Sequence, residues 1–166
     1  MKKLVVFYSL TGNNQKLANY LKENINCEIY EIKTKKKMGF SAFFTGLFFG
    51  KNPKIEENTI DLKSYDKIFF ISPIWFGKLA FPLKAFLIKK KLNIQDYNFL
   101  SICLGGQKDK IENELFSILG KIPSYIEEFS FKKLIESGAL KHSDKIDEKN
   151  FEDIKKDINK SLKYLS

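Results

Sequence analysis

The residues best suited to chemistry are Ser9, Thr11, Gly12, Asn13 and Asn14, in the stretch Tyr8-Ser9-Leu10-Thr11-Gly12-Asn13-Asn14-Gln15. They follow an apolar run, Leu4-Val5-Val6-Phe7, and precede Leu17, Leu21 and Ile25 at helical spacing. A buried strand therefore ends in a hydroxyl- and amide-rich turn that opens a helix. The free N–H groups and partial positive charge of a helix N-terminus suit an anion, particularly a phosphate. Ser9 and Thr11 add hydroxyl donors, and Gly12 lets the backbone curl close to a ligand. The competing reading is that Thr11 or Asn13 only caps the helix.

Two further stretches follow apolar strands in the same way. Ile68-Phe69-Phe70-Ile71 leads into Pro73-Ile74-Trp75-Phe76-Gly77-Lys78, and Asn98–Leu104 ends at Gly105-Gly106. An aromatic at the carboxyl end of a strand is placed to stack on a planar ligand. A glycine pair can bring bare backbone against a ligand edge. Phosphate grip, stacking aromatic and backbone wall together describe a site for a flat mononucleotide.

The elements that would carry these loops alternate. Strands are expected at Leu4–Tyr8, Cys27–Lys33, Lys67–Ser72, Asn98–Leu104 and Ser124–Phe131. Helices are expected over Asn13–Ile25, Gly39–Gly50, Phe81–Lys90, a segment with Ile111, Leu115, Ile118 and Leu119 on one face, and the C-terminal segment with Phe151, Ile154, Ile158, Leu162 and Leu165. Asn52–Lys63 reads as a polar connector and Ser137–Asp147 as a polar loop. Apolar strands alternating with helices predict a parallel sheet covered on both faces, whose ligands bind beyond the carboxyl ends of the strands. In Gly39–Gly50, Phe40, Phe43, Phe44, Leu47 and Phe48 make a broad aromatic helix face, read as core or as a wall facing a ligand or partner subunit.

At 166 residues and 43% hydrophobic content the chain is expected to form a single domain, 1–166. Met1-Lys2-Lys3 runs into a segment too short for a signal-peptide core, and no window has the apolar length of a transmembrane helix. A cytoplasmic protein without membrane insertion is the expectation. Cys27 and Cys103 form no CxxC pair and His142 is the only histidine, so no metal site is expected. The net charge is +9, from 29 basic and 20 acidic residues. All the basic residues are lysine, and the absence of arginine weighs against sequence-reading nucleic-acid recognition.

The first two loops carry a family resemblance. Ser9-Leu10-Thr11-Gly12-Asn13-Asn14 resembles the flavodoxin phosphate loop, Ser/Thr-x-Thr-Gly-x-Thr, with Asn14 in place of the last Thr. Ser72–Lys78 followed by Phe81-Pro82-Leu83-Lys84-Ala85-Phe86-Leu87 is similar to the second flavin loop and helix of flavodoxin-like proteins, and also to NAD(P)H:quinone reductases. Leu104-Gly105-Gly106 fits the third loop. The resemblance implies a doubly wound α/β fold with a five-stranded parallel sheet, order 2-1-3-4-5, and non-covalent FMN. Ser9, Thr11, Gly12, Asn13 and Asn14 would hold the phosphate. Pro73, Ile74, Trp75, Phe76 and Gly77 would line the isoalloxazine, and Leu104, Gly105 and Gly106 its other edge.

That implies electron transfer, with a redox partner protein or with NAD(P)H and a small acceptor, by a monomer or homodimer. The alternative is an NAD(P)H-dependent FMN oxidoreductase, and a third reading is a flavin-free interaction module. No residue is assigned as catalytic, because the cofactor would carry the chemistry. Flavodoxins that shuttle electrons are typically acidic. This chain is basic, and Lys78 beside the ring would raise the flavin potential.

Overall fold

The computed structural model describes residues 1–35, 52–57, 59–138 and 145–165. The five sheet strands are β1 (Lys3–Phe7), β2 (Glu28–Glu31), β3 (Lys67–Ile71), β4 (Tyr97–Cys103) and β5 (Tyr125–Ser130). All pair in parallel, in the spatial order β2-β1-β3-β4-β5. This is the expected 2-1-3-4-5 order of a doubly wound sheet, and each strand ends within two residues of its expected limit.

The three central strands, β1, β3 and β4, are mostly apolar because both faces of the sheet are covered there. Alternate residues of β1 go to opposite sides: Val5 and Phe7 join one core cluster, Leu4 and Val6 the other. The first cluster is completed by helices α1 (Asn13–Ile25) and α5 (Glu148–Leu165), through Leu17, Leu21, Phe151, Ile154 and Ile158. The second is completed by α2 (Phe81–Lys90) and α3 (Lys108–Leu119), through Leu83, Phe86, Leu87, Ile111 and Leu115. Both α1 and α2 have the bounds read from the sequence. The period of buried residues fixes α1, and a proline in the first turn of α2, where no N–H is needed, fixes its start.

Four elements among the described residues were not expected. A two-stranded hairpin with arms Ile74–Trp75 and Lys78–Leu79 follows β3, a short helix α4 (Lys132–Glu136) follows β5, and 3-10 turns span Leu62–Ser64 and Lys91–Asn93. The aromatic helix expected at Gly39–Gly50 lies outside the described residues, as does most of the Ser137–Asp147 loop. Among the described residues no helix is long and apolar enough to cross a membrane, and no group of histidine, cysteine, aspartate or glutamate could hold a metal ion. Cys27 and Cys103 are buried free thiols, and burial pushes each up to about 11.

Candidate functional site

The sheet brings all three loops to its carboxyl edge, as the order β1-β3-β4 at its centre requires. Among the described residues two clefts lie there. A cavity of about 150 Å³ is lined by Leu10, Thr11, Asn13 and Asn14 from the first loop, Pro73, Ile74 and Trp75 from the second, and Ile102, Cys103, Leu104 and Phe131. A larger one of about 540 Å³ is lined by Ile74, Trp75, Phe76 and Gly77, by Cys103, Leu104 and Gly105, and by Gln107 and Lys110. Ile74, Trp75, Cys103 and Leu104 border both, so the two form one groove past Trp75. Its size falls within the roughly 300–1,000 Å³ usual for small-molecule sites.

At the narrow end, α1 begins after Gly12, whose φ of 91° is left-handed and costs a glycine little. The first intrahelical bond runs from the Lys16 N–H to the Gly12 carbonyl, so the N–H groups before it have no carbonyl four residues back to reach. Ser9 Oγ accepts the Gly12 N–H at 3.1 Å, which closes the turn and leaves the Ser9 O–H as a donor. Thr11 is exposed at the tip. No side chain caps the helix, so neither Thr11 nor Asn13 takes the capping role.

The two asparagines are buried and serve the backbone. Asn13 Oδ1 accepts the Ile146 N–H at 2.8 Å. Asn14 Oδ1 accepts the Ile102 N–H at 2.9 Å while its Nδ2 donates to the Ile102 carbonyl at 3.2 Å. What Asn14 presents at the helix start is therefore its backbone N–H. The side chains instead hold the first loop against β4 and the segment leading into α5.

At the wide end, the hairpin turns through Phe76 and Gly77, with φ of 52° and 73°. A two-residue turn with both residues left-handed matches the twist of the arms, but a phenylalanine there is strained by roughly 1–2 kcal/mol. Phe76 is 77% exposed at the mouth. A Cβ on Gly77 would lie 2.7 Å from Gln107 Oε1 and 3.0 Å from Lys110 Cδ, so a larger residue there would have to push both side chains aside as well as adopt a φ of 73°. Trp75 packs edge-on against Tyr8 and Phe81, with ring centroids 6.0 and 5.5 Å away. Burial pushes the Tyr8 hydroxyl up to about 12, so it stays protonated at neutral pH. Gly105 and Gly106 both have positive φ, and the Gly105 N–H reaches Cys103 Sγ at 3.3 Å.

Sequence reasoning missed the carboxylates that position the outer two loops. Both oxygens of Glu128 accept the Gln107 N–H at 3.1 Å, at the start of α3. Glu114 accepts the Leu79 N–H at 2.7 Å and the Lys84 ammonium at 2.7 Å, pinning the hairpin between α2 and α3. Neither has a local signal, since each partner lies 21 to 35 residues away. Replacing Glu114 with alanine strands the N–H of a fully buried residue and is expected to cost about 2 kcal/mol in urea unfolding. A loss below half that would mean the hairpin is held by other contacts. Lys78 is exposed on the outer arm and lines neither cleft, whereas Lys110 lines the larger one.

No family model matches the chain, and no curated protein matches its sequence. Solved structures do. A flavoprotein from Lactobacillus acidophilus in complex with FMN is 20% identical with a TM-score of 0.67, covering 84% of this chain and 99% of its own. The apo-form of the flavoprotein from the same organism is 21% identical with a TM-score of 0.61, over 76% of this chain and 89% of its own. A chain from Bacteroides eggerthii gives 17% and 0.67, over 84% and 99%. At such identities the likeness is one of architecture. Strand order, helices on both faces and these neighbours together show that the chain has the flavodoxin-like fold.

Proposed function

We propose that the chain binds FMN without a covalent link across the three loops and acts in electron transfer through it. The observation that carries this reading is the continuous groove, which joins a helix N-terminus with hydroxyl donors to an aromatic hairpin and a glycine loop. The donor set fits the group. The α1 N-terminus with Ser9 and Thr11 suits a phosphate, the Trp75 side suits a flat ring, and Gly105-Gly106 offers backbone at its edge. The FMN complex of the Lactobacillus acidophilus neighbour, on the same fold, supports it.

When bound, the flavin supplies the redox chemistry. The chain's residues bind and orient. Among the residues lining the groove, Cys103 and Lys110 are the titratable ones, and burial keeps the Cys103 thiol protonated at neutral pH. Among the described residues the groove thus holds no evident general acid or base for substrate chemistry, which suits a carrier. The Lys110 ammonium favours negative charge on a ligand held in the wide cleft. With a net charge of +9, the surface complements an acidic redox partner.

The test is an absorption titration of the purified protein with FMN. Flavin bands that shift on saturable binding are expected, and Thr11→Ala is expected to weaken binding about fivefold through loss of one donor. Absence of binding at high FMN would overturn the reading. NADH and NADPH, added anaerobically, are expected to leave the bound flavin's absorption unchanged. Bleaching by either would replace the carrier with an NAD(P)H-dependent oxidoreductase.

A further inference from the structure

We infer that the far end of the α2–α3 layer, at the amino edge of the sheet, is a docking surface for a membrane of anionic phospholipid. Its centre is Leu92 and Ile122, and its rim is lysine. The groove lies at the opposite edge of the sheet, so docking here leaves the groove open.

Apolar side chains from three segments meet at this corner. Ile88 lies one turn beyond Lys84, whose ammonium meets Glu114 of α3 at 2.7 Å, so it continues the seam between the two helices. Leu92 follows a further turn on, in the 3-10 turn Lys91–Asn93. Beyond α3, Lys121 reaches back to the same place and donates to the Ile94 and Gln95 carbonyls at 2.8 and 3.0 Å. That clamp brings Ile122, the next residue, to the corner. Leu92 is 89% exposed, Ile122 60% and Ile88 45%. Grouped aliphatic side chains this bare mark a surface that a partner covers. Lys35 and Lys54, either side of residues 36–51, bond to each other at 2.9 Å beyond the carboxyl ends of β1 and β2, at the other edge.

The charge around the corner is mainly positive. Between Asp66 and Asp96 the chain carries Lys67, Lys78, Lys84, Lys89, Lys90 and Lys91 and no acidic residue. Lys89 and Lys91 are exposed between Ile88 and Leu92, and Lys90 reaches the Ile60 carbonyl at 3.2 Å. The neighbouring carboxylates are occupied: Asp61 accepts the Lys63 N–H at 3.1 Å, and Asp96 accepts the Ser124 hydroxyl. Outside the described residues the only acidic side chain is that of Asp144, and its neighbour Lys145 lies against Gly12 at the carboxyl edge.

That combination selects the occupant. Lysine is depleted from protein interfaces, but it flanks apolar anchors at membranes, with its stem along the acyl boundary and its ammonium among the phosphates. A second copy on a two-fold axis would set Lys89 and Lys91 against their own images. An anionic bilayer takes Leu92 and Ile122 into its interface and attracts the lysines around them.

The test is co-sedimentation of the full chain with vesicles of phosphatidylcholine, alone or mixed equally with phosphatidylglycerol. Binding to the mixed vesicles is expected, weakened by salt and about tenfold tighter than to the neutral ones. Leu92→Ser/Ile122→Ser and Lys89→Gln/Lys91→Gln are each expected to weaken it about tenfold. The control Lys22→Gln/Lys149→Gln removes exposed charges from α1 and α5, on the other face of the sheet. It is expected to stay within about twofold of wild type. Trp75, the chain's one tryptophan, stands in the groove, so brominated lipid is expected to leave its emission unquenched. No binding to mixed vesicles, equal binding to neutral ones, an equal loss in the control, or quenching of Trp75 would overturn the proposal. A dimer in analytical ultracentrifugation that Leu92→Ser/Ile122→Ser dissolves, with no vesicle binding by the wild type, would give the corner to a second copy instead.

Discussion

Asn14→Ala is expected to lower the stability of the protein by about 3 kcal/mol in urea unfolding, far more than its small side chain would suggest. Strands β3 and β4 pair only as far as Ile71 and Leu100. Beyond that point the Ile102 backbone has no strand beside it on the β3 side. The Asn14 amide takes that place, accepting the N–H at 2.9 Å and donating to the carbonyl at 3.2 Å. One side chain thus does what the next residues of a strand would do. Asn14 is 3% exposed and Ile102 2%, so water cannot readily replace the lost partners. Alanine would leave a buried donor and a buried acceptor unpaired, and each unmet group costs about 1–3 kcal/mol. Gln15→Ala, at the exposed next position, is the control, expected to stay within about 0.5 kcal/mol of wild type. If Asn14→Ala loses less than about 1 kcal/mol, the amide is not a structural bridge.

That example shows where sequence reasoning reached its limit. The β1–α1 junction was readable because a run of apolar residues and the spacing of Leu17, Leu21 and Ile25 are local signals. The strand order followed from apolar strands alternating with helices, which admit few right-handed topologies. Asn14 itself reads from sequence as one more phosphate donor, standing where the resembled pattern has threonine. Its side-chain partner lies 88 residues away, and no local pattern announces it. The hairpin after β3 escaped for another reason. Arms of two residues show no period, and a phenylalanine at a position with φ of 52° is the opposite of the Asn-Gly that signals such a turn. Ile146 lay within what read as a polar loop, and only its buried bond to Asn13 ties that segment to the first loop.

Trp75→Ala is expected to have the largest effect on the ligand: a rise of about thirtyfold or more in the FMN dissociation constant, together with recovery of flavin fluorescence. The residue borders both clefts, so its removal merges the narrow and wide ends into one loose opening. Stacking of an aromatic on a flat heterocycle contributes roughly 1–3 kcal/mol, and that sets the size of the loss. The ring is held ready for that role, because Tyr8 and Phe81 meet it edge-on at 90° and 67°. A ring fixed before the ligand arrives loses little freedom on binding. Phe76 sits at the strained tip of the same turn and is 77% exposed, whereas Trp75 is half-buried. Phe76→Ala is therefore expected to weaken FMN less than Trp75→Ala. Trp75→Phe separates packing from stacking, since a smaller ring keeps contact with Tyr8 and Phe81 and is expected to recover most of the affinity. Fluorescence that stays quenched in Trp75→Ala, at a concentration where FMN remains bound, would place the ring-binding face on Phe76 instead.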